Sequence, residues 1–136
     1  MTPGPAPDAG PAPDADADAD AAAGGAKGET PVETFAALDL RVGTVRAVEP
    51  NAKARRPAYV LRIDFGPLGE RMSSAQITDR YAPDDLIGMQ VVAAVNLPPK
   101  RVAGVKSAAL TLGVETADGV VLLRPAAPVP DGAAVS

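Results

Sequence analysis

The sequence predicts a small all-β barrel that follows a tail of low sequence complexity. Three observations support this prediction. Of the first 28 residues, 25 are Ala, Pro, Gly or Asp. After residue 30, short segments alternate apolar and polar residues, which is the period of a half-buried strand. These segments come as three strands, a short helix and two strands, followed by one extra hairpin strand. A chain of 136 residues therefore contains one ordered domain of ordinary size.

The predicted tail covers residues 1–29. It offers too little apolar surface to offset the entropy lost when its backbone is ordered, so we expect it to be disordered. The alternating aspartates Asp14, Asp16, Asp18 and Asp20 resemble the start of a calcium loop. However, such a loop needs Gly at its sixth position and Glu at its twelfth, where this chain has Ala and Gly. We expect no metal site, and the tail also lacks the apolar core of a secretory signal.

The charge of the chain divides at nearly the same boundary. Residues 1–33 contain seven acidic residues and one basic residue, whereas residues 34–136 contain 10 acidic and 12 basic residues. The net charge of −4 therefore comes from the tail and does not describe the ordered domain. No segment reaches the roughly 18 apolar residues that a membrane-spanning helix needs. We expect a cytoplasmic protein without membrane insertion.

The composition argues against ordinary enzyme chemistry. The chain has no Cys and no His, so it lacks the thiolate nucleophile and the imidazole base. It also has no Gly-rich loop ending in Gly-Lys-Ser/Thr for ATP. The neighbouring carboxyls Asp84 and Asp85 fall in the first turn of a predicted helix, where they stabilise the helix dipole. We therefore expect no enzyme and no cofactor.

The first half of the domain predicts a helix and three strands. Thr30-Pro31-Val32-Glu33 is typical of a helix N-terminus, with Thr as cap and Pro in the first helical position. Residues 40–48 form the first predicted strand, with Gly43 as a possible bend or bulge. Residues 59–65 alternate cleanly and form the second strand. A Gly-Pro turn then leads to the third strand, at about residues 71–77.

The second half predicts a helix and the remaining strands. The helix begins at Pro83, places Leu86 and Ile87 inward and ends at Gly88. Residues 91–96 and 108–114 form strands four and five, and Ala-Asp-Gly at 117–119 is typical of a hairpin turn into residues 120–123. This order is that of the OB-fold, a five-stranded Greek-key barrel with its helix between strands three and four. A plain antiparallel sandwich is the alternative. The apolar faces of strand four and the last hairpin favour a homodimer.

Four separated segments resemble one known family. Phe35–Val45 is similar to the opening of the tRNA-binding domain family, which is found in methionyl-tRNA synthetases and in cytokine-like proteins. Ser73–Thr78, Val95–Ser107 and Asp118–Leu123 resemble its bacterial CsaA branch, described as protein-secretion chaperones. The resemblance covers about residues 34–136 and leaves the tail unexplained.

The resemblance implies a homodimeric OB-fold that binds unfolded or precursor polypeptides and has an ancestral capacity for tRNA. This sequence departs from the family pattern at two places, and both concern which ligand it binds. Ala108-Ala109-Leu110 stands where the wider family usually has a Gly-Met pair, which favours the CsaA branch over tRNA binding. Leu97 and Val105 stand where that branch commonly has Phe, so an aromatic contact is missing there.

The loop between strands one and two is a candidate phosphate-binding loop. Lys53, Arg55 and Arg56 place three cations within four residues, and Pro57 stiffens the loop. OB-folds commonly bind oligonucleotides with this loop, and such binding falls steeply with salt. A solvated loop without a ligand is the alternative.

Two further groups are candidate ligand-binding residues. Ser73, Ser74 and Gln76 are unusually polar for a strand and can hydrogen-bond a peptide backbone or a ribose-phosphate chain. An edge strand with polar side chains is the alternative. Asn96, Lys100 and Arg101 flank Pro98-Pro99, which would fix a loop that presents the two cations. A rigid connection whose charges only aid solubility is equally compatible with this pattern.

The scarcity of aromatic residues bears on the choice of ligand. Single-stranded nucleic acid is usually held by aromatic stacking, and only Tyr81 is a candidate stacking platform in this domain. Together with the resemblance to the CsaA branch, this scarcity favours an export-related, CsaA-like chaperone that binds unfolded or precursor polypeptides without ATP. The alternative is a tRNA-binding module that contacts the phosphate backbone through its basic loops.

Overall fold

The computed structural model describes residues 25–102 and 104–136. The chain divides into two units, residues 1–35 and 36–136. Most of the predicted tail, and with it the aspartate run at 14–20, lies outside the described residues. The first unit has no helix or strand over residues 25–31 and then enters helix α1, Val32–Ala36, whose residues are all exposed.

The second unit is built from strands and one further short helix. Helix α2 spans Pro83–Leu86, and a single 3₁₀ turn spans Gly66–Leu68. In chain order the strands are β1 Leu40–Pro50, β2 Tyr59–Asp64, β3 Glu70–Ala75, β4 Gln90–Ala94, β5 Lys100–Val102, β6 Val105–Ser107, β7 Leu110–Thr111, β8 Gly113–Thr116 and β9 Gly119–Leu122. Five of them form one antiparallel sheet in the order β3-β2-β1-β4-β7, while β5–β6 and β8–β9 are separate hairpins.

The sheet curls until β3 approaches β6 and β7. The Ala108 amide donates a hydrogen bond to the Met72 carbonyl (2.9 Å), and the Thr111 hydroxyl donates one to Ser73 Oγ (2.9 Å). These bonds connect the two edges of the sheet and nearly close the barrel. The architecture is that of an OB-fold with an extra C-terminal hairpin, which confirms the fold predicted from the order of elements.

The barrel interior is filled by the inward residues of β1, β2 and β4 together with α2. Leu61 and Ile63 of β2 and the following Phe65 have no solvent exposure, as their alternation predicts. Val45 of β1 and Leu86 of α2 are equally buried. Burying a side chain of this size stabilises the fold by about 1.5–3 kcal/mol. This core holds the loops and hairpins at the barrel surface in place.

Strand β1 contains its irregularity at Arg46 and not at Gly43. The pairing register with β2 shifts between Val45 and Ala47, which marks a bulge at Arg46. Gly43 has a different role, because a Cβ at this position would lie 2.6 Å from Ile63 Cγ2 and 2.7 Å from Phe65 Cδ1. The missing side chain lets the barrel core pack against the backbone of β1.

Helix α2 follows the predicted limits with one difference. Asp85 Oδ2 accepts a hydrogen bond from the Ala82 amide (3.0 Å) at the helix start, and Gly88 after the helix has a positive φ of 88°. Leu86 is buried as predicted, but Ile87 is 52% exposed. The inward position predicted for Ile87 is wrong, because the chain leaves the helix at this residue with an extended backbone.

The chain after β4 differs most from the prediction. Residues 100–102, predicted as a fixed loop, form strand β5 of a short hairpin with β6. The predicted fifth strand at 108–114 is divided between β7 and β8. The hairpin turn at 117–119 is confirmed, since Thr116 pairs with Gly119 and its hydroxyl donates to the Gly119 carbonyl (2.6 Å).

The C-terminal strap, residues 129–135, lies along β1 and was not predicted. Val42 of β1 makes two backbone hydrogen bonds to the strap. The Val42 amide donates to the Ala133 carbonyl (3.0 Å), and the Val42 carbonyl accepts from the Gly132 amide (2.7 Å). The Gln90 side chain bonds both backbone groups of Val129, and the Thr44 hydroxyl donates to Asp131 Oδ1 (2.6 Å). The strap thereby covers the first half of β1.

Candidate functional site

The loop between β1 and β2 is closed at its base by Asn51. The Asn51 amide donates to the Ala58 carbonyl (2.9 Å), and the Asn51 carbonyl accepts from the Ala54 amide (3.1 Å). Lys53, Arg55 and Arg56, the three cations of the loop, are exposed. The loop therefore presents them to solvent from a base that is fixed on the barrel.

The β5–β6 hairpin has two chemically different faces. Arg101 lies directly opposite Lys106, and the pairs on either side are Lys100 with Ser107 and Val102 with Val105. Since side chains alternate along a strand, Arg101 and Lys106 share one face and the flanking pairs share the other. The Arg101 guanidinium also donates to the Gly104 carbonyl (3.1 Å) in the turn. Like charges directly opposite each other destabilise a strand pair.

The loop and the hairpin meet at the turn of the hairpin. Asn51 Nδ2 donates to the Val102 carbonyl (3.4 Å). A Cβ on Gly104 would lie 3.5 Å from Lys53 Cδ and 3.8 Å from Lys53 Nζ, so the lysine side chain lies along the turn. We call this the basic surface, formed by five exposed cations: Lys53, Arg55, Arg56, Arg101 and Lys106.

The cations of the basic surface have no acidic partner within the described ranges. The ion pairs in these ranges lie outside the basic surface. They join Arg41 to Asp39, Arg46 to Asp64 and Asp131, and Arg62 to Glu70. The basic surface therefore combines positive charges from two chain segments without compensating carboxylates. Such a surface attracts anions, and this attraction weakens as salt is added.

The other face of the hairpin lines the apolar groove, a cavity of about 310 Å³. Its walls come from β3, the end of β4 and the segment after it, the hairpin, and the segment before and within β7. They are mostly apolar, with Lys100, Ser74 and Ser107 as the polar members, and comprise Ser74, Ala94, Leu97, Pro98, Lys100, Val102, Ser107, Ala108, Ala109 and Leu110. The basic surface and the apolar groove therefore lie on opposite faces of one short hairpin.

The structure separates the polar residues that were predicted to bind together on β3. Ser74 lines the apolar groove, and its amide donates to Ser107 Oγ (3.2 Å). Ser73 has no solvent exposure, and its hydroxyl accepts a hydrogen bond from the Thr111 hydroxyl. Gln76 lies just after β3 and is exposed. Ser73 is therefore not available to a ligand that docks on the surface.

Asn96 and Tyr81 have structural partners. Asn96 Oδ1 accepts from the Asp39 amide and Nδ2 donates to the Ala37 carbonyl, both at 2.8 Å, so both ends of its side chain fix the approach to β1. The Tyr81 ring packs on the core, and its hydroxyl accepts from the Leu122 amide (3.1 Å). Tyr81 is therefore not free to act as the predicted stacking platform.

The extra hairpin presents an apolar sheet face. Val114 pairs with Val121, and the Leu123 amide donates to the Leu112 carbonyl (3.1 Å), while the intervening Leu122 points into the core. Leu110, Val114 and Leu123 are 53%, 51% and 40% exposed. We call this the outer apolar face, which comprises Leu110, Leu112, Val114, Val121 and Leu123.

Several residues of these surfaces were missed in the sequence. The roles of Lys106 and Val102 become clear only once residues 100–107 are recognised as a hairpin. The signal for this hairpin was Gly104, which lies between Val102 and Val105. Asn51 and Leu110 carried no local signal. Among the described residues, no group of three or more acidic side chains is arranged to hold a metal ion, and no helix is long and apolar enough to cross a membrane.

This chain is similar to known proteins both in sequence and in structure. Residues 40–134 match the family model for a putative tRNA binding domain. The chain is 42% identical over 104 residues to a methionine–tRNA ligase of Porphyromonas gingivalis, covering 76% of this chain and 15% of the ligase. A methionine–tRNA ligase of Methanothrix thermoacetophila is 38% identical over 105 residues. The chain spans about 15% of the length of these ligases.

Two solved structures resemble this chain over their full length. The chaperone CsaA of Bacillus anthracis is 55% identical, with a TM-score of 0.76, and the match covers 80% of this chain and 100% of that chain. The CsaA chaperone protein of Picrophilus torridus is 41% identical, with a TM-score of 0.76, and the match covers 79% of this chain and 100% of that chain.

Proposed function

Since this chain belongs to the putative tRNA binding domain family, we propose that it acts by binding and not by catalysis, as a CsaA-like chaperone. Its clients are unfolded or precursor polypeptides on their way to export. The observation that supports this proposal most directly is the apolar groove beside strand β7. The 55% identity to a chaperone CsaA supports the same assignment. A cytoplasmic location belongs to the proposal, because precursor polypeptides are made there.

The groove binds a client by two kinds of contact. Its apolar walls, which include Leu97, Val102 and Leu110, receive an apolar client side chain. Lys100 and the hydroxyls of Ser74 and Ser107 hydrogen-bond the client backbone. Burying one Leu- or Phe-sized side chain contributes about 1.5–3 kcal/mol, so a single groove holds its client weakly. Clients therefore dissociate without an ATP-driven step.

A homodimer is the second part of this proposal. Val114 and Leu123 of the outer apolar face are exposed in a single copy, and a second copy would bury them. Two grooves on one dimer would bind two segments of the same polypeptide, which strengthens weak individual contacts through effective concentration.

The groove proposal is tested by substituting a wall residue. Val102→Asp places a carboxylate in the groove and should weaken the binding of a fluorescently labelled, permanently unfolded polypeptide by about tenfold, which corresponds to about 1.4 kcal/mol. Ala117→Asp adds the same charge in the exposed β8–β9 turn and serves as the matched control. Fluorescence anisotropy measures both. Equal affinities for the two variants would contradict the assignment of the groove.

The basic surface favours a second function, the binding of tRNA through its phosphates. The specific observation is the Arg101–Lys106 pair, in which two cations face each other without an acidic partner in the described part of the chain. Phosphate groups would compensate this repulsion. Because stacking platforms are scarce, recognition would rest on the shape of a folded RNA.

The tRNA proposal is tested by the salt dependence of binding. Replacing Arg101 and Lys106 together by Ala should weaken tRNA binding and lower the slope of log affinity against log salt by about one unit per lost phosphate contact. Arg124→Ala removes an exposed cation elsewhere on the domain and should leave the slope unchanged. An unchanged slope in the double variant would contradict the proposal that the basic surface contacts the phosphates of tRNA.

A further inference from the structure

We infer that Asn51 is a positioning residue, which joins the basic loop and the basic hairpin into one preformed phosphate-binding surface. The inference rests on the proposed binding of tRNA. Asn51 lies where the two segments meet, and it is only 9% exposed. It therefore acts on a ligand through the cations that it holds in place and not by touching the ligand itself.

Every polar group of Asn51 is used in this junction. Its backbone amide and carbonyl close the loop through Ala58 and Ala54. Its side-chain oxygen accepts from the Lys53 amide (3.3 Å), and its side-chain nitrogen donates to the Val102 carbonyl (3.4 Å). The side chain thus connects the backbone next to the first loop cation with the strand that follows Arg101.

The short amide side chain of Asn51 can make both side-chain bonds. The bond to Lys53 needs an acceptor and the bond to Val102 needs a donor, and Asn provides one of each. Aspartate keeps the acceptor but cannot donate to the Val102 carbonyl. Alanine removes both bonds and leaves the loop fixed only by its backbone bonds to Ala54 and Ala58.

The junction matters because the basic surface is made of long, mobile side chains on two separate segments. A loop that must be ordered when the ligand binds reduces affinity, and a loop that is already in place does not. Lys53 lies along the Gly104 turn, whose carbonyl accepts a hydrogen bond from Arg101, and the Asn51 bonds hold the loop there. Loss of the junction would separate Lys53, Arg55 and Arg56 from Arg101 and Lys106.

A double-mutant cycle tests this role with the full chain and bulk tRNA. Asn51→Ala should weaken tRNA binding by about fivefold and reduce its salt slope, measured at a temperature where the variant is folded. In a chain that already contains Lys53→Ala, Arg55→Ala and Arg56→Ala, the same Asn51→Ala change should have no further effect, because the cations it positions are gone. An unchanged affinity for Asn51→Ala, or an equal loss in both backgrounds, would overturn the inference.

A measurement without RNA separates this inference from the tRNA proposal. Hydrogen exchange of the amides at 52–56 should accelerate in Asn51→Ala, while exchange within β2 and β3 stays as in the wild type. Asn51→Ser, whose short uncharged side chain can make one of the two bonds, should give an intermediate rate and covers the case that the alanine variant folds poorly. Unchanged loop exchange in both variants would overturn the positioning role. Failure of the wild-type chain to bind tRNA would instead refute the proposed tRNA function.

Discussion

Arg101 and Lys106 face each other directly across the β5–β6 hairpin, although both side chains are positively charged. A hairpin of three residues per strand gains little from its own hydrogen bonds, and repulsion between opposed like charges reduces that gain further. The arrangement is therefore better suited to binding an anion than to stabilising the hairpin. This relationship gives the first prediction.

Lys106→Glu should stabilise the domain while weakening tRNA binding. A glutamate opposite Arg101 replaces repulsion by attraction, worth about 0.2–1 kcal/mol, which raises the melting temperature by about 1–6 °C. Lys106→Gln removes the repulsion without adding attraction and should fall between the glutamate variant and the wild type. Thermal unfolding measures all three proteins at low salt. A lower melting temperature for Lys106→Glu would show that Lys106 supports the hairpin.

Gly43→Ala should destabilise the barrel by about 1–3 kcal/mol, the usual effect of forcing an extra methyl group into a packed core. The new Cβ would lie 2.6 Å from Ile63 Cγ2, and both Ile63 and Phe65 are fully buried and cannot move aside. Gly28→Ala is the matched control, because no atom lies within 4 Å of a Cβ at that position. Urea unfolding gives both free energies, and equal stabilities would contradict the packing role of Gly43.

Gln90→Ala should release the C-terminal strap and destabilise the domain by about 1–3 kcal/mol. Its side-chain amide bonds the amide and carbonyl of Val129 (3.0 and 2.7 Å) and also Asp131 Oδ1 (3.1 Å), and the alanine leaves these groups without this partner. Hydrogen exchange at Gly132 and Val135, whose amides bond β1, should accelerate in the same variant. The control is Gln76→Ala, which removes an exposed amide. Unchanged exchange in the strap would contradict this anchoring role.

Val114→Asp together with Leu123→Asp should convert the proposed dimer to a monomer. Both side chains lie on the outer apolar face, and burial of charge at an interface opposes association. Sedimentation velocity at micromolar concentration measures the change. Glu115→Ala, on the opposite face of the same strand, should leave the oligomeric state as in the wild type. A wild-type chain that sediments as a monomer would contradict the dimer itself.

Local sequence patterns were sufficient for most of the barrel. The alternation at Leu61, Ile63 and Phe65 correctly identified the inner face of β2, because a strand with one buried face repeats every two residues. Pro83 correctly marked the start of helix α2, which ends at Leu86, two residues before Gly88, and Ala117-Asp118-Gly119 correctly identified a hairpin turn. In each case the signal lies within a few residues of the structure that it specifies.

The features that were missed depend on contacts between distant residues. Ser73 is polar but fully buried, and its hydroxyl accepts a hydrogen bond from Thr111. Thr111 lies 38 residues further along the chain, so no neighbouring residue signals this bond. Asn96 also bonds Ala37 and Asp39, and this structural role gave no local signal because the two partners lie 59 and 57 residues away. The strap pairs with β1 through its backbone, so its Pro, Gly and Ala residues show no alternation. No local pattern can reveal such partners.

Calorimetric titration of the full chain with an unfolded polypeptide, repeated at several temperatures, tests the central claim most directly. Burial of client side chains in the apolar groove predicts a negative heat-capacity change that persists at high salt and becomes smaller in Val102→Asp. A heat-capacity change near zero, or binding that disappears at high salt, would contradict the claim that the groove holds the polypeptide.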